Sequence, residues 1–258
     1  MNPSTKTAIV TGGARAIGKC ISLTLARQGY NVVLAAPEKQ DLEQTAYEIE
    51  QMGRRACAVL TDVSHENDVQ NMVRRALDTF GTIDLLVNNA GIIGPTCPVI
   101  ETSRADWDEV LAVNLTGTFL CCKAVLPAMI RHRSGKIVNI SSIAGKIAYP
   151  LRSPYAVSKW GVIGFTMTLA KEVGQYGIQV NAICPGPVSG ERMKRIIETR
   201  AAELQQTPEQ VERTYLETTL LKRFIMPEDI ANMVAYLAAP TGDAITGQTI
   251  DITAGYAI

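Results

Sequence analysis

Apolar positions along the 258-residue chain alternate between two kinds of segment. Short apolar runs bounded by Gly, Asn, Asp or Ser read as strands: Thr7–Thr11, Asn31–Ala35, Ala56–Leu60, Asp84–Val87, Lys136–Ile140, Ile178–Ile183 and Gln248–Ile252. Between them, apolar residues recur at helical spacing. Ile17, Ile21 and Leu25 share one face before Gly29, and a polar helix over Leu42–Met52 stops at Gly53. Val69, Val73, Ala76 and Phe80 form a third stripe, closed by Gly81. A long helix begins near Asp106 and contains Asn114, and another runs from Ser153 to about Gly174. Ser153 reads as its N-cap and Pro154 as its first helical residue, since proline's fixed φ and missing N–H suit that place. Pro227–Glu–Asp opens the last helix, with Ile230, Val234 and Leu237 inward.

Strands alternating with helices of this length imply right-handed crossovers and a parallel sheet covered on both faces. The predicted class is α/β, with residues 1–258 as one domain, because no linker, repeat or low-complexity run divides them. In such sheets ligands sit at the carboxyl ends of the strands. The polar residues after strands one, three, four, five and six would gather there. Residues 188 to about 224 break the alternation. Met193, Ile197, Ala201 and Leu204 trace one helical stripe, and Thr207–Pro–Glu–Gln210 reads as a capping box opening a second helix. This excursion is expected to be a lid over the ligand site, the alternative being a surface that packs on a neighbouring subunit.

Composition narrows the function. Formal net charge is zero and no Lys/Arg block occurs, which argues against nucleic acid or an anionic membrane as partner. The stretch Val110–Ile130 is interrupted by Asn114, Lys123 and Pro127, and the first residues lack a signal-peptide pattern, so no membrane span is expected. Six cysteines without a Cys-x-x-Cys pair read as small core residues in a reducing cytoplasm. Two histidines, His65 and His132, make a histidine triad or a metal site an unpromising reading.

Four stretches carry chemistry. Tyr155 and Lys159, at i and i+4 near a helix start, share one face. A free phenol, with pKa about 10, is a poor base at neutral pH. A nearby ammonium contributes roughly 4 kcal/mol at an effective dielectric of ~20, enough to lower that value by about three units. The pair is therefore a candidate proton-transfer group. After strand one, Gly12, Gly13 and Gly18 open a turn leading into a helix N-terminus, where free N–H groups favour a pyrophosphate. Asp62, after strand three, is read either as an acceptor for an adenine amino group or as a cap ahead of Ser64. Asn89–Ala90–Gly91 is a tight turn of small residues that leaves room for a flat cofactor or serves as structure alone.

Taken together, Thr11–Gly12–x5–Gly18, Asp62–Val63, Asn88–Asn–Ala–Gly91, Asn114, Ser142, Tyr155–x3–Lys159 and Pro185–Gly186 resemble the short-chain dehydrogenase/reductases over essentially the full chain. The resemblance implies a Rossmann-type seven-stranded sheet, a nicotinamide cofactor and a homotetramer or homodimer. It implies that Tyr155 exchanges a proton with the reacting oxygen and that Lys159 holds the nicotinamide ribose and lowers the Tyr155 pKa. It further implies that Ser142 hydrogen-bonds that oxygen and that Asn114 supports a water relay behind Lys159. Gly12, Arg15, Ile17, Gly18, Asp62, Val63, Asn89, Ala90, Gly91, Pro185, Gly186 and Val188 would contact the cofactor, and no metal is implied. The implied reaction interconverts a secondary alcohol and a ketone.

Two departures from the family pattern stand out. Ala16 replaces a glycine, which an α-compatible φ would tolerate, and Gly190 stands where a threonine often holds the carboxamide, leaving Ser189 or backbone groups to replace it. The end of strand two, Ala36–Pro37–Glu38, lacks an acid for the ribose diol unless Glu38 folds back, and Arg15 could pair with a 2′-phosphate. The reading favours NADP over NAD. A 3-oxoacyl-carrier-protein reductase is a narrower alternative, and a non-catalytic nicotinamide-nucleotide sensor is one of another class. A nucleotide-sugar epimerase or dehydratase fits poorly in glycine spacing. Arg152 and Arg192 could face an anionic substrate such as a carboxylate or sulfonate.

Overall fold

The computed structural model describes residues 5–256. Seven parallel strands lie in the order β3-β2-β1-β4-β5-β6-β7. These are β1 (Thr7–Thr11), β2 (Asn31–Ala36), β3 (Ala56–Leu60), β4 (Leu85–Asn88), β5 (Gly135–Ile140), β6 (Ile178–Pro185) and β7 (Thr249–Ile252). Alternate side chains divide between the two faces, as a doubly covered sheet requires. Ala8, Val10, Val32, Leu34, Leu85 and Val87 join one core with Ile21, Leu25, Ile230 and Val234. Ile9, Val33 and Leu86 join the other with Val69, Met72, Val125 and Met129.

The helices are α1 (Ala16–Arg27), α2 (Lys39–Gln51), α3 (Glu66–Phe80), α4 (Arg104–Leu111), α5 (Gly117–His132), α6 (Ser153–Val173), α7 (Glu191–Leu204), α8 (Pro208–Glu217) and α9 (Pro227–Ala238). Gly81 closes α3 in the left-handed conformation, as its position foretold. The long predicted helix is present but divided: residues Ala112–Thr116 form a π-turn between α4 and α5. The run Arg104–His132 has the length and apolarity of a membrane-crossing segment. Its Val110, Cys121, Cys122, Val125 and Met129 side chains are fully buried in the protein, which identifies it as a core helix.

Strand order reverses between β1 and β4, where Thr11 pairs with Ala35 on one side and with Asn88 on the other. A crevice opens at such a switch point, beyond the carboxyl ends of the strands. The turns Gly12–Arg15 and Asn89–Gly91 meet there. Three local expectations are corrected. Arg152, not Ser153, occupies the N-cap of α6, with Ser153 and Pro154 inside the first turn. Asp84 lies just outside β4, its carboxylate accepting from Thr7 N at 2.8 Å and Thr82 Oγ1 at 2.6 Å. Leu204 is exposed at the end of α7. The small core of the excursion is instead built from Ile197, Ala201 and Val211, with Met193, Tyr215 and Phe224 against it.

The capping box at Thr207 is formed as expected, with Thr207 N donating to Gln210 Oε1 at 2.9 Å and Gln210 N to Thr207 Oγ1 at 3.3 Å. The two ends of the excursion are tied together beside β6. Val188 and Ile225 form a parallel bridge, Ser189 N donates to Ile225 O at 2.8 Å, and Ile225 N donates to Pro187 O at 2.9 Å. α7 and α8 thus project from a fixed base next to the strand ends.

Candidate active site

The glycine turn is shaped by its neighbours rather than by its own side chains. Thr11 Oγ1 accepts from Asn89 N at 3.0 Å and Ala90 N at 3.1 Å, while Asn89 Nδ2 donates to Thr11 O at 3.0 Å and Gly12 O at 3.2 Å. Gly12 has a φ of +60°, and a Cβ there would stand 2.9 Å from Asn89 Nδ2. A Cβ on Gly18 would fall 1.9 Å from Gly12 O, so only glycine lets α1 approach this closely. The N-terminus of α1 has no side-chain cap and no acidic residue in its first turn. Its N–H groups therefore remain available to an anion, and the residues present fit a dinucleotide pyrophosphate.

Ala16 departs from expectation. Its φ is +45°, not α-compatible, so the backbone keeps the left-handed geometry that a glycine would hold without strain. Arg15, beside it, pairs with Glu38, and its Nε lies 3.7 Å from Asp41 Oδ2. Glu38 has thus folded back onto the glycine turn, the one arrangement in which an acid reaches this end of β2.

Asp62 closes the turn ahead of α3 rather than capping the helix, whose N-cap is His65 with no side-chain bond. Its Oδ1 accepts from Ser64 N at 2.9 Å and Ser64 Oγ at 2.6 Å, and these bonds hold its pKa below the usual carboxylate range. Val63 is buried, and Gly117 packs so closely that a Cβ there would meet Val63 Cγ2 at 2.7 Å. Ile17 and Ala90 are partly buried, packed against opposite cores. On the far side, Gly186 N donates to Ile252 O at 2.9 Å, so Pro185 and Gly186 end β6 beside β7, and Val188 follows in the bridge to Ile225. Gly190 has a φ of +139°, and a Cβ on it would meet nothing within 4 Å, while the Ser189 backbone is engaged by Ile225.

The four predicted catalytic residues converge. Ser142 caps the short turn Ile143–Gly145, its Oγ accepting from Ala144 N at 3.1 Å, and it stands near enough to the Tyr155 phenol to lower that group's pKa. Lys159 is buried, and its Nζ donates to Ile140 O at 2.9 Å. That nitrogen lies 5.8 Å from the centre of the Tyr155 ring. Asn114 sits in the π-turn with its side chain spanning two elements: Oδ1 accepts from Ile92 N at 2.8 Å, and Nδ2 donates to Ile92 O at 2.9 Å and Ser158 Oγ at 3.0 Å. Gly91 lies between these groups. A Cβ on it would stand 3.1 Å from Asn114 Oδ1 and 3.5 Å from Lys159 Nζ.

The electrostatics differ from the simple phenol–ammonium expectation. Burial pushes the Tyr155 phenol up, and this outweighs the lowering by the Ser142 hydroxyl and the Arg192 and Arg152 charges. Lys159 points at a carbonyl rather than at the phenol oxygen. Burial, followed by the Arg192 charge, pushes it down to about 8. The expectation of an acidified phenol is therefore not met in the protein by itself.

Several supporting groups were not singled out from sequence. Ser158 Oγ donates to Tyr155 O at 2.7 Å and links Asn114 to α6. Ser141 Oγ donates to Lys159 O at 2.9 Å. Beneath them, Asn139 and Thr166 continue the chain from Asn88, already named in the family motif: Asn88 Nδ2 donates to Asn139 Oδ1 at 2.9 Å, and Asn139 Nδ2 to Thr166 Oγ1 at 2.9 Å. Polar residues at positions that the strand and helix periods make inward were the signal that could have found them.

An α/β sheet with a glycine turn at its switch point and a Ser–Tyr–Lys cluster at the neighbouring strand ends defines a nucleotide-dependent oxidoreductase. Residues 6–201 match the short chain dehydrogenase family, and the chain belongs to it. It is 38% identical over 251 residues to a 3-oxoacyl-acyl-carrier-protein reductase of Staphylococcus epidermidis, covering 97% of this chain and 98% of that one. A reductase of the same name from Synechocystis sp. is 38% identical over 250 residues, covering 96% and 95%. Among solved structures, an actinorhodin polyketide ketoreductase with NADPH superposes with a TM-score of 0.93 at 33% identity, covering 99% and 98% of the two chains. An NAD+-bound xylitol dehydrogenase superposes at 0.92 with 32% identity, covering 98% and 99%. The protein is an oxidoreductase of the short-chain type, acting between a carbonyl and an alcohol with a nicotinamide dinucleotide.

Proposed function

We propose that the chain reduces a ketone to a secondary alcohol, or runs the reverse, with Tyr155 as the proton-transfer residue. The observation that carries this is the buried Lys159, held by Ile140 O with its Nζ 5.8 Å from the centre of the Tyr155 ring, at the strand end that also presents Ser142. The bound dinucleotide would supply or accept the hydride. A phenol kept neutral by burial is suited to donate its proton to an oxygen on which negative charge develops. Ser142 donates a hydrogen bond to the same oxygen. Lys159 holds the nicotinamide ribose, and its ammonium then stabilises the phenolate left behind. Asn114 is a positioning residue: both its amide hydrogens are engaged, and one lone pair of Oδ1 remains toward Gly91 and Lys159, where a water relay would sit.

The remaining cofactor contacts follow the same reading. Gly12, Ile17 and Gly18 bring α1 to the pyrophosphate, while Asp62, Val63, Asn89, Ala90 and Gly91 border the adenine and ribose side. Pro185, Gly186 and Val188 border the nicotinamide side. NADP is favoured because Arg15 stands on the exposed rim at the end of β2, where it would leave Glu38 for a 2′-phosphate. An exposed ion pair contributes only about 0–1 kcal/mol, so a dianionic phosphate competes well. The excursion α7–α8 serves as the lid over the substrate.

A narrower reading, reduction of 3-oxoacyl groups on a carrier protein, is favoured by 38% identity with curated relatives of that name over nearly the whole chain. The protein is proposed to be cytoplasmic and homo-oligomeric, a dimer or tetramer. Phe119, Val157, Trp160 and Met167 are exposed on α5 and α6 and would be covered by a second copy. Steady-state consumption of NADPH and NADH with a panel of ketones and 3-oxoacyl thioesters tests the reading. Turnover lost in Tyr155→Phe supports it, and no turnover with any carbonyl or alcohol overturns it.

A further inference from the structure

Arg152, on the loop before α6, and Arg192, at the start of α7, both act on the Tyr155 phenol through their charge, and neither forms an ion pair among the described residues, although Arg15, Arg104, Arg213 and Arg223 all do. Arg152 is held from two sides. Its Nε donates to Thr96 Oγ1 at 3.1 Å, and its guanidinium carbon lies 5.8 Å from the centre of the Tyr149 ring. That ring centre is in turn 6.4 Å from that of Tyr155. The preceding Leu151 has a left-handed φ of +66°, and its carbonyl accepts from Cys97 N at 2.9 Å, which fixes the chain just before the arginine. Arg192 lies exposed in the first turn of α7, where the excursion begins. Its charge acts on both Tyr155 and Lys159.

Two arginines and a buried lysine of like charge around one phenol raise the local positive potential, and no acidic side chain among the described residues pairs with either arginine to offset it. Guanidinium groups are suited to binding planar or tetrahedral oxyanions through paired N–H donors. We propose that Arg152 and Arg192 bind an anionic oxygen group on the substrate, so that the carbonyls this enzyme prefers carry a carboxylate or sulfonate a few bonds from the reacting carbon. Tyr149 forms the step between the two ends, with Arg152 over its ring and Tyr155 beside it. Arg192, on α7, closes over the charged end with the excursion. This specificity rests on the oxidoreductase reading above, which assigns Tyr155 to the carbonyl oxygen.

Matched carbonyls test it: acetoacetate, its neutral methyl ester and acetonylsulfonate, each with saturating NADPH. The expected result is a kcat/KM at least tenfold higher for an anion than for the ester. Arg152→Ala and Arg192→Ala should each raise KM for that anion ten- to a hundredfold while raising KM for the ester less than threefold, any common change in kcat reflecting the loss of their charge beside Tyr155. Arg152→Lys and Arg192→Lys should reverse part of the rise in KM, which a folding defect would not. The two anions distinguish carboxylate from sulfonate. Acid and ester reduced alike, with all variants affecting both equally, overturns the anion site while leaving the oxidoreductase reading intact. If no carbonyl is turned over, that reading is what fails. Calorimetric titration of acetoacetate and acetonylsulfonate into the NADP+ complex provides a readout without turnover. Binding of either that is lost in the double alanine variant supports the anion site, and no binding of either, or binding unchanged in that variant, overturns it.

Discussion

Asn114 Nδ2 donates to Ser158 Oγ at 3.0 Å, and through it the π-turn between α4 and α5 is fastened to the helix that carries Tyr155 and Lys159. Ser158 passes the link on to Tyr155 O at 2.7 Å. The same asparagine side chain satisfies both backbone groups of Ile92. Asn114→Ala would leave those groups and Ser158 short of partners in a buried setting, a loss of about 1–3 kcal/mol for a group left unsatisfied. Urea unfolding should show a destabilisation of that order, and kcat should fall more than the KM for carbonyl changes, because the groups displaced are those that position Tyr155 and Lys159.

Lys159 is stabilised in its neutral form by burial, with its folded value at about 8 against 10.5 in an ordinary setting. Below pH 8 both folded and unfolded chains hold the proton, and the burial penalty is fully present. Between about 8 and 10.5 the unfolded chain binds more protons, so this group's contribution to stability rises with pH. Lys159→Met should therefore stabilise the cofactor-free protein at pH 7, by up to about 3 kcal/mol less the lost bond to Ile140 O, and by much less at pH 10. Thermal unfolding at the two pH values measures this, and an equal effect at both would contradict it.

Ala16 holds a left-handed φ of +45° at the entrance to α1. That conformation costs a non-glycine residue roughly 1–2 kcal/mol, while glycine in the unfolded chain loses about 0.5–1 kcal/mol through extra entropy. Ala16→Gly should thus be neutral to stabilising by about 1 kcal/mol. Removing the methyl beside the free N–H groups of α1 should also tighten NADPH and NADH alike, measured by fluorescence titration.

Arg15 and Glu38 are proposed to set the cofactor preference together. Arg15→Ala should weaken NADPH binding about tenfold or more, as expected for loss of a charge-assisted bond worth about 1.5–3 kcal/mol, and leave NADH within about threefold. Glu38→Gln should tighten NADPH, because the arginine no longer has to leave a carboxylate. Direct titration of each nucleotide checks both. An NADH preference unaffected by either change would contradict the assignment.

Most of the sheet was legible because its signals are local. Runs such as Ala56–Leu60 and Thr7–Thr11 are apolar between turn residues, and their bounds agree with β3 and β1. Ser142 was legible as a polar residue after β5 and the Tyr155–Lys159 pair from its i, i+4 spacing, while joining them with Asn114 in one site came from the family resemblance. What remained hidden depends on partners distant in sequence. Nothing near Asp84 announced that Thr7 N would bind its carboxylate, and whether Glu38 folds back was left open by the sequence because its partner, Arg15, lies far away in the chain. The Tyr155 pKa departs from the sequence expectation for the same reason. The i, i+4 spacing sets the phenol and ammonium on one face, but the Ile140 carbonyl draws Lys159 Nζ away, and burial acts on both groups. Leu204 differs in kind: the stripe is correct to Ala201, but α7 ends at Leu204 and this last position turns to solvent.

Isotope transfer tests the central assignment most directly. NADPH deuterated at C4 of the nicotinamide, incubated with the purified protein and the best ketone of the panel, should give an alcohol deuterated at the carbinol carbon. Tyr155→Phe, which removes only the phenol oxygen, should fold with unchanged stability and bind NADPH while losing at least about a hundredfold in the rate of that transfer. Label that appears in water instead of the alcohol, or a Tyr155→Phe enzyme that transfers it at the wild-type rate, would contradict the account.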